Sequence, residues 1–192
     1  KTPVKSRTVS PADRPMRLSN DDVLGARLRA ACLAGDGVTG AHCIHELWMR
    51  GAMAVHIEQW LTVLWQQAAA SVPDWLPLRH VDSFPLAYEV ATRFQPRRRG
   101  RANIDLVLLD YSDSRSEPYG VYVGMSSCPP ALRFDQHKAG IRAAGSVTRR
   151  GLELLSGPTL HLQGIGRAEA ADIEVQLGEA LRLEGLLVQG GH

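Results

Sequence analysis

Two apolar runs, Ile104-Asp105-Leu106-Val107-Leu108-Leu109 and Tyr119-Gly120-Val121-Tyr122-Val123-Gly124, stand on either side of a polar stretch from Ser112 to Pro118. Short runs of aliphatic, β-branched and aromatic residues joined by turn formers predict two strands paired antiparallel as a hairpin. The residues after the hairpin are equally restrictive. Pro129 and Pro130 suit the first turn of a helix capped by Ser127 or Cys128, and Gly140 stops that helix after about Lys138. A further strand is expected within Leu152 to Leu162. A long amphipathic helix then runs from Arg167 to about Glu184, with Ile173, Leu177 and Leu181 at i, i+4 and i+8 and Gly185 as its stop.

Upstream the texture is helical. Residues 1–18 carry Lys, Arg, Pro and Ser with little periodic hydrophobicity, which reads as a flexible basic leader. Ser19 or Asn20 can cap a helix whose first turn holds Asp21 and Asp22, on which Leu24, Leu28 and Cys32 share a face, and which Gly35-Asp36-Gly37 ends. A second helical stretch spans about Ala41 to Ala70, with Gly51 placed to break it in two, and a short helix fits Ala87 to Phe94. The expected organisation is therefore a leader (1–18), a helical N-terminal region (19–95), an Arg-rich linker (96–101) and a compact domain (102–192). The fold class is α+β, a small sheet flanked by helices.

A chain of 192 residues with 44% hydrophobic content can bury a real core. Its net charge of +2 is small, so an anionic partner has to be met by local patches. Arg97, Arg98, Arg99 and Arg101 form one such patch, and Lys138, Arg142, Arg149 and Arg150 are spread through the next fifty residues. Cys32, Cys43 and Cys128 make no CxxC pair, which points to a reducing, cytoplasmic setting. No apolar run approaches the roughly 18 to 20 residues of a membrane span. The chain does not start with Met, which suggests a segment trimmed or excised from a longer protein.

Chemistry concentrates around Tyr122-Val123-Gly124. Arg133 and His137 come next at i and i+4, on one face of the helix beside that strand. A phenol, a guanidinium and an imidazole on one small surface can hold a phosphate and act on a water, which makes phosphodiester cleavage the first hypothesis. Tyr122-Val123-Gly124, Arg133-Phe134-Asp135-Gln136-His137 and Glu174 within Ala171-Asp172-Ile173-Glu174-Val175-Gln176-Leu177 together resemble the signatures of the GIY-YIG nuclease family, in the family's order, over about residues 102–192. The ending Leu186-Leu187-Val188-Gln189-Gly190-Gly191-His192 is a weaker likeness of the same kind.

That resemblance implies a three-stranded antiparallel sheet with flanking helices, and hydrolysis of DNA with one divalent ion, Mg2+ or Mn2+. Under it, Tyr122 activates or orients the water, Arg133 clamps the phosphate, His137 assists with the water, and Glu174 holds the metal. Glu169, Glu179 and Glu153 are competing carboxylates. The pattern breaks at its first signature, where Asn103-Ile104-Asp105 replaces Gly-Ile-Tyr and the interval to Tyr122 is long. Three outcomes stay open: Tyr119 supplies the missing phenol, Asp105 serves as a different base or second metal ligand, or activity is reduced.

Other signals have plainer readings. His42, Cys43 and His45 lack the second ligand pair that a zinc site needs. Trp48, Trp60, Trp65 and Trp75 are core or interface anchors. The helical half is expected to position substrate, form a homodimer or dock a protein partner. A nucleic-acid-binding protein that does not cut, and a nuclease toxin domain, are the alternatives to a DNA endonuclease.

Overall fold

A computed structural model describes residues 14–73, 76 and 85–192, and the chain divides into two compact units at the junction of residues 82 and 83. The first unit is helical: α1 (Asp21–Ala34), α2 (Gly37–Met49) and α3 (Ala54–Ala68). Asn20 caps α1, its side chain accepting the Val23 N–H at 2.9 Å, and Gly35 ends it with φ +68°. Leu24, Leu28 and Cys32 are buried as the stripe requires, and the break between α2 and α3 contains Gly51.

The leader reading fails from Arg14 onward; residues 1–13 lie outside those described. Arg14 donates to buried Glu46 through Nη2 at 2.7 Å and Nε at 2.9 Å, and Met16 is buried as well. A lone buried charge would cost several kcal/mol, so the guanidinium can turn inward here only because Glu46 meets it. His42, Cys43 and His45 are residues of α2, and no group of three or more His, Cys, Asp or Glu side chains that could hold a metal occurs among the described residues. Leu33 and Trp65 are exposed, and α1 and α3 leave a cavity of about 370 Å³ between Leu28, Cys32, Trp60 and Val63. Trp75 lies outside the described residues.

The second unit contains α4 (Pro85–Ala91), β1 (Asn103–Asp110), β2 (Tyr119–Ser126), α5 (Pro130–Lys138), α6 (Gly145–Arg150), β3 (Gly151–Leu154), α7 (Ser156–Thr159), α8 (Arg167–Leu183) and β4 (Val188–Gly190). The expected hairpin is present, with Asn103 opposite Ser126 at one end and Asp110 opposite Tyr119 at the other. The sheet order is β3-β1-β2-β4. It is a four-stranded mixed sheet, not the three-stranded antiparallel one, because β4 joins β2 in parallel after α8. The Val121 N–H donates to Leu187 O at 2.8 Å and the Gly191 N–H to Val123 O at 3.2 Å, covering an edge of β2 that would otherwise be open. Three residues are too few for an alternation signal. Within Leu152 to Leu162 only the start is strand, since the chain turns into α7 at Ser156-Gly157-Pro158.

One face of the sheet, with Ile104, Leu106, Leu108, Val121 and Val123, packs against α4 and α8 through Ala87, Val90, Ile173, Leu177 and Leu181. The opposite face is met by α5 and α6. Helix α4 thus belongs to the core of this unit and not to an N-terminal region ending at residue 95. The Arg-rich segment is likewise no free linker. Ala102 bridges Ile165, the Gly100 N–H donates to Gly164 O at 2.9 Å, and Gly100 runs so close to the Ile165 carbonyl that a side chain there would collide with it. All three cysteines are free thiols, and no helix of the described residues is long and apolar enough to cross a membrane.

Candidate functional site

Strand alternation puts Asp105 and Val107 of β1 and Tyr122 and Gly124 of β2 on the face opposite the apolar core. Asp105 stands across from Gly124 and Val107 across from Tyr122, so Asp105 and Tyr122 are diagonal neighbours. The absent side chain of Gly124 is what lets them approach. A Cβ there would sit 2.9 Å from Tyr122 Oη and 3.1 Å from Asp105 Oδ2, so the two oxygens close over the glycine and are no more than about 6 Å apart. Asp105 is 1% exposed, and its Oδ2 has no hydrogen-bond partner.

Helix α5 brings in the next two groups. The His137 ring meets the Tyr122 ring edge-on, with centroids 5.4 Å apart and planes at 72°. His137 Nδ1 accepts the Ala144 N–H at 2.9 Å, so the proton of the neutral ring is on Nε2. Burial, helped by the Arg133 charge, lowers the His137 pKa to about 4. The imidazole is therefore a neutral donor with its acceptor nitrogen already used. Arg133 donates through Nη2 to Arg142 O at 2.9 Å and through Nη1 to Gln136 Oε1 at 3.3 Å, which fixes the guanidinium and leaves its other N–H groups for a ligand. Arg142 holds that carbonyl in place with φ 45°, a conformation uncommon outside glycine.

Glu174 arrives from α8 as a half-buried carboxylate. Burial raises its pKa, while His192 and the Met125 backbone N–H pull it down. Asp105 is raised to about 7, chiefly by burial, with Arg133 opposing and Glu174 reinforcing. Tyr122 is pushed up to about 12 by burial and then by the Asp105 and Glu174 charges. Side chains from β1, β2, α5 and α8 thus share one electrostatic neighbourhood. Of the rival carboxylates, Glu169 and Glu179 are exposed on α8, and Glu153 is buried on β3 opposite Leu108.

Not every expected residue joins this group. Tyr119 lies an odd number of positions from Tyr122, so it faces the core with Val121, at the Asp110 end of the ladder about 17 Å from Asp105. It cannot stand in for a missing phenol. Arg150 is committed elsewhere: it donates to Asp113 at 2.7 Å and to Asp110 O at 2.9 Å, and stacks 4.6 Å over the Tyr111 ring, at the turn end of the hairpin. Lys138 donates to Gly151 O at 2.9 Å, and burial lowers its pKa. Arg149 is exposed on α6, and Arg97, Arg98 and Arg99 are exposed, with Arg98 donating to Gln163 O at 3.0 Å.

Arg101 and Arg142, by contrast, line a groove of about 680 Å³ together with Arg133, Arg167, Ser126 and Gln136. Its lining includes four arginines and no carboxylate. Asn103 stiffens one wall by donating to Cys128 O at 2.9 Å. Arg167, Ser126 and Gln136 were not expected as site residues, although Gln136 lies inside the Arg133-to-His137 signature and Arg167 is the first residue of the predicted helix. Arg133 lines the groove and its charge also acts on Asp105, Tyr122 and His137, so it is the residue shared by the groove and the buried cluster.

Comparisons with protein-family models, with curated proteins and with solved structures give no match to this chain. The functional reading rests on the geometry of the cluster and the groove.

Proposed function

We propose that the second unit is a metal-dependent DNA endonuclease that hydrolyses phosphodiester bonds at the Asp105, Tyr122, Arg133, His137 and Glu174 cluster. The observation that carries this is the convergence of those five side chains from four elements, one of them shared with a groove lined by four arginines. The order of the GIY-YIG-like signatures adds support. Hydrolysis requires neutralisation of charge on the non-bridging oxygens, an oriented water and a stabilised leaving oxygen. Arg133 has free N–H groups for the first of these. Tyr122 stays a phenol at neutral pH, so its hydroxyl orients the water or an oxygen instead of removing a proton, and His137 packs its ring in place.

Glu174 is the residue that would hold the metal. One half-buried carboxylate suits Mg2+ or Mn2+, which keep waters and take phosphate oxygens as ligands, and does not suit zinc. The bound ion would supply charge to the leaving oxygen. In a nicking assay on supercoiled plasmid, wild type should cut with Mg2+ or Mn2+, stop with a chelator, and lose activity in Glu174→Gln. A folded protein that binds DNA and never cuts it excludes hydrolysis and leaves the second reading, a nucleic-acid-binding protein, which is motivated by Asp105 standing where the resembled pattern has a tyrosine.

Binding itself makes a separate prediction. Counterion release gives a slope of log K against log salt of about −0.9 per phosphate contact on duplex DNA. Arg167→Ala should weaken binding across all sequences and reduce the steepness of that slope by about 1. Arg150→Ala should leave it unchanged, because Arg150 is held by Asp113 and Tyr111. Fluorescence anisotropy across a range of salt concentrations measures both; equal slopes for wild type and Arg167→Ala would remove the groove from the DNA path.

A further inference from the structure

Resting on the nuclease reading, we infer that Asp105 is the general base, its Oδ2 taking the proton from the water that attacks phosphorus. A buried carboxylate oxygen without a partner is costly, and in a native fold it calls for a reason. Asp105 has that oxygen, at 1% exposure, and the oxygen and Tyr122 Oη both come close over the Cα of Gly124. The two oxygens are no more than about 6 Å apart, a span that one water can bridge.

The alternatives inside the cluster are used up. His137 Nδ1 already accepts from Ala144, and its Nε2 carries a proton, so the neutral ring has no lone pair to offer. Tyr122 is protonated at neutral pH, so its hydroxyl does not take the proton. Arg133 has no acceptor. Glu174 faces the Met125 N–H and is the carboxylate assigned to the metal. Only Asp105 combines an unoccupied acceptor with a place beside the phenol. Its pKa of about 7 agrees with the role, since a base works best when its pKa lies near the operating pH.

The step balances simply. The water O–H bond breaks with its proton going to Asp105 Oδ2, the water oxygen forms a bond to phosphorus, and the P–O bond to the leaving strand breaks with its electron pair on that oxygen. A solvent proton then quenches the alkoxide, and Asp105 returns its proton to bulk water. In this chain an aspartate at the first-signature position therefore activates the water, and Tyr119 has no part in it.

The experiment is single-turnover nicking of plasmid at saturating Mg2+ by wild type, Asp105→Asn and Asp105→Glu, with thermal melting and DNA affinity in chelator measured alongside. Asp105→Asn keeps the shape and removes the proton acceptor. It should fold, melt at or above the wild-type temperature, bind DNA within twofold of wild type, and cut about 10²- to 10⁴-fold more slowly. The Mg2+ concentration for half-maximal rate should stay within twofold of wild type, which separates a base from a metal ligand. Asp105→Glu retains the carboxylate and should recover part of the lost rate. Wild-type cutting with Asp105→Asn equally fast overturns the base while the nuclease reading stands, as does a tenfold or greater rise in the Mg2+ requirement. A folded wild type that does not cut with any divalent ion overturns both.

Discussion

On the proposed nuclease function, Arg133→Ala should lower the rate of metal-dependent nicking by about 10²- to 10³-fold, the usual loss when one positioned donor to a developing oxyanion is removed. The effect is expected to be this large because Arg133 is immobilised before substrate arrives. Its bonds to Arg142 O and Gln136 Oε1 hold the guanidinium at the junction of the groove and the buried cluster. Arg133→Lys should recover little, since an ammonium cannot reproduce a fork with two donors already engaged. Stopped nicking reactions on plasmid, with melting temperature as the folding control, check both variants. A fully active Arg133→Ala protein would mean that the phosphate is held elsewhere.

Gly124→Ala should be nearly as damaging, although it adds one methyl group and removes no functional atom. The new carbon would stand 2.6 Å from Tyr122 Cε1, inside any real carbon contact, as well as crowding Tyr122 Oη and Asp105 Oδ2. Something has to shift. Leu106 and Val123, the next pair along the ladder, and Ile104 on the other side are fully buried in the core, so the strands have little room to give and the phenol and carboxylate move. Overpacking of this kind costs about 1 to 3 kcal/mol of stability. A displacement near 1 Å at reacting groups costs on the order of 10²-fold in rate. Urea melts and single-turnover rates would separate the two effects, and unchanged cutting by Gly124→Ala would show that the placement of Asp105 against Tyr122 plays no part in the reaction.

Much of the second unit was legible because its signals are local. The hairpin, the Pro-Pro start of α5, and the Ile173, Leu177 and Leu181 stripe of α8 each arise from residues within a few turns of one another. Tyr122, Arg133, His137 and Glu174 were nameable for a different reason: their residue types and order resemble a known pattern, and Asp105 stands where that pattern breaks; the sheet register brings Asp105 beside Tyr122, and two helices carry the other three. The features hidden from a sequence reading depend on long-range pairing. Strand β4 is three residues long and exists only because β2 has an edge to fill. Arg14 looked like part of a solvated leader until Glu46, thirty-two residues on, received it. Arg101, Arg142 and Arg167 meet in one groove only after residues 100–102 have docked on residues 164–165. Charge counting by segment favoured Arg149 and Arg150 equally, although the fold holds Arg150 at the hairpin turn end against Asp113.

The most direct test of a single hydrolytic site is a double-mutant cycle on plasmid nicking with Mg2+, comparing wild type, Arg133→Ala, Glu174→Gln and the double variant, all shown to be folded. Groups that act as one unit lose their effect together. Wild type should nick only with a divalent ion, each single variant should lose about 10²-fold or more, and the double variant should be little worse than the more impaired single. A folded wild type without metal-dependent nicking, or losses that multiply in full across the cycle, would contradict the account.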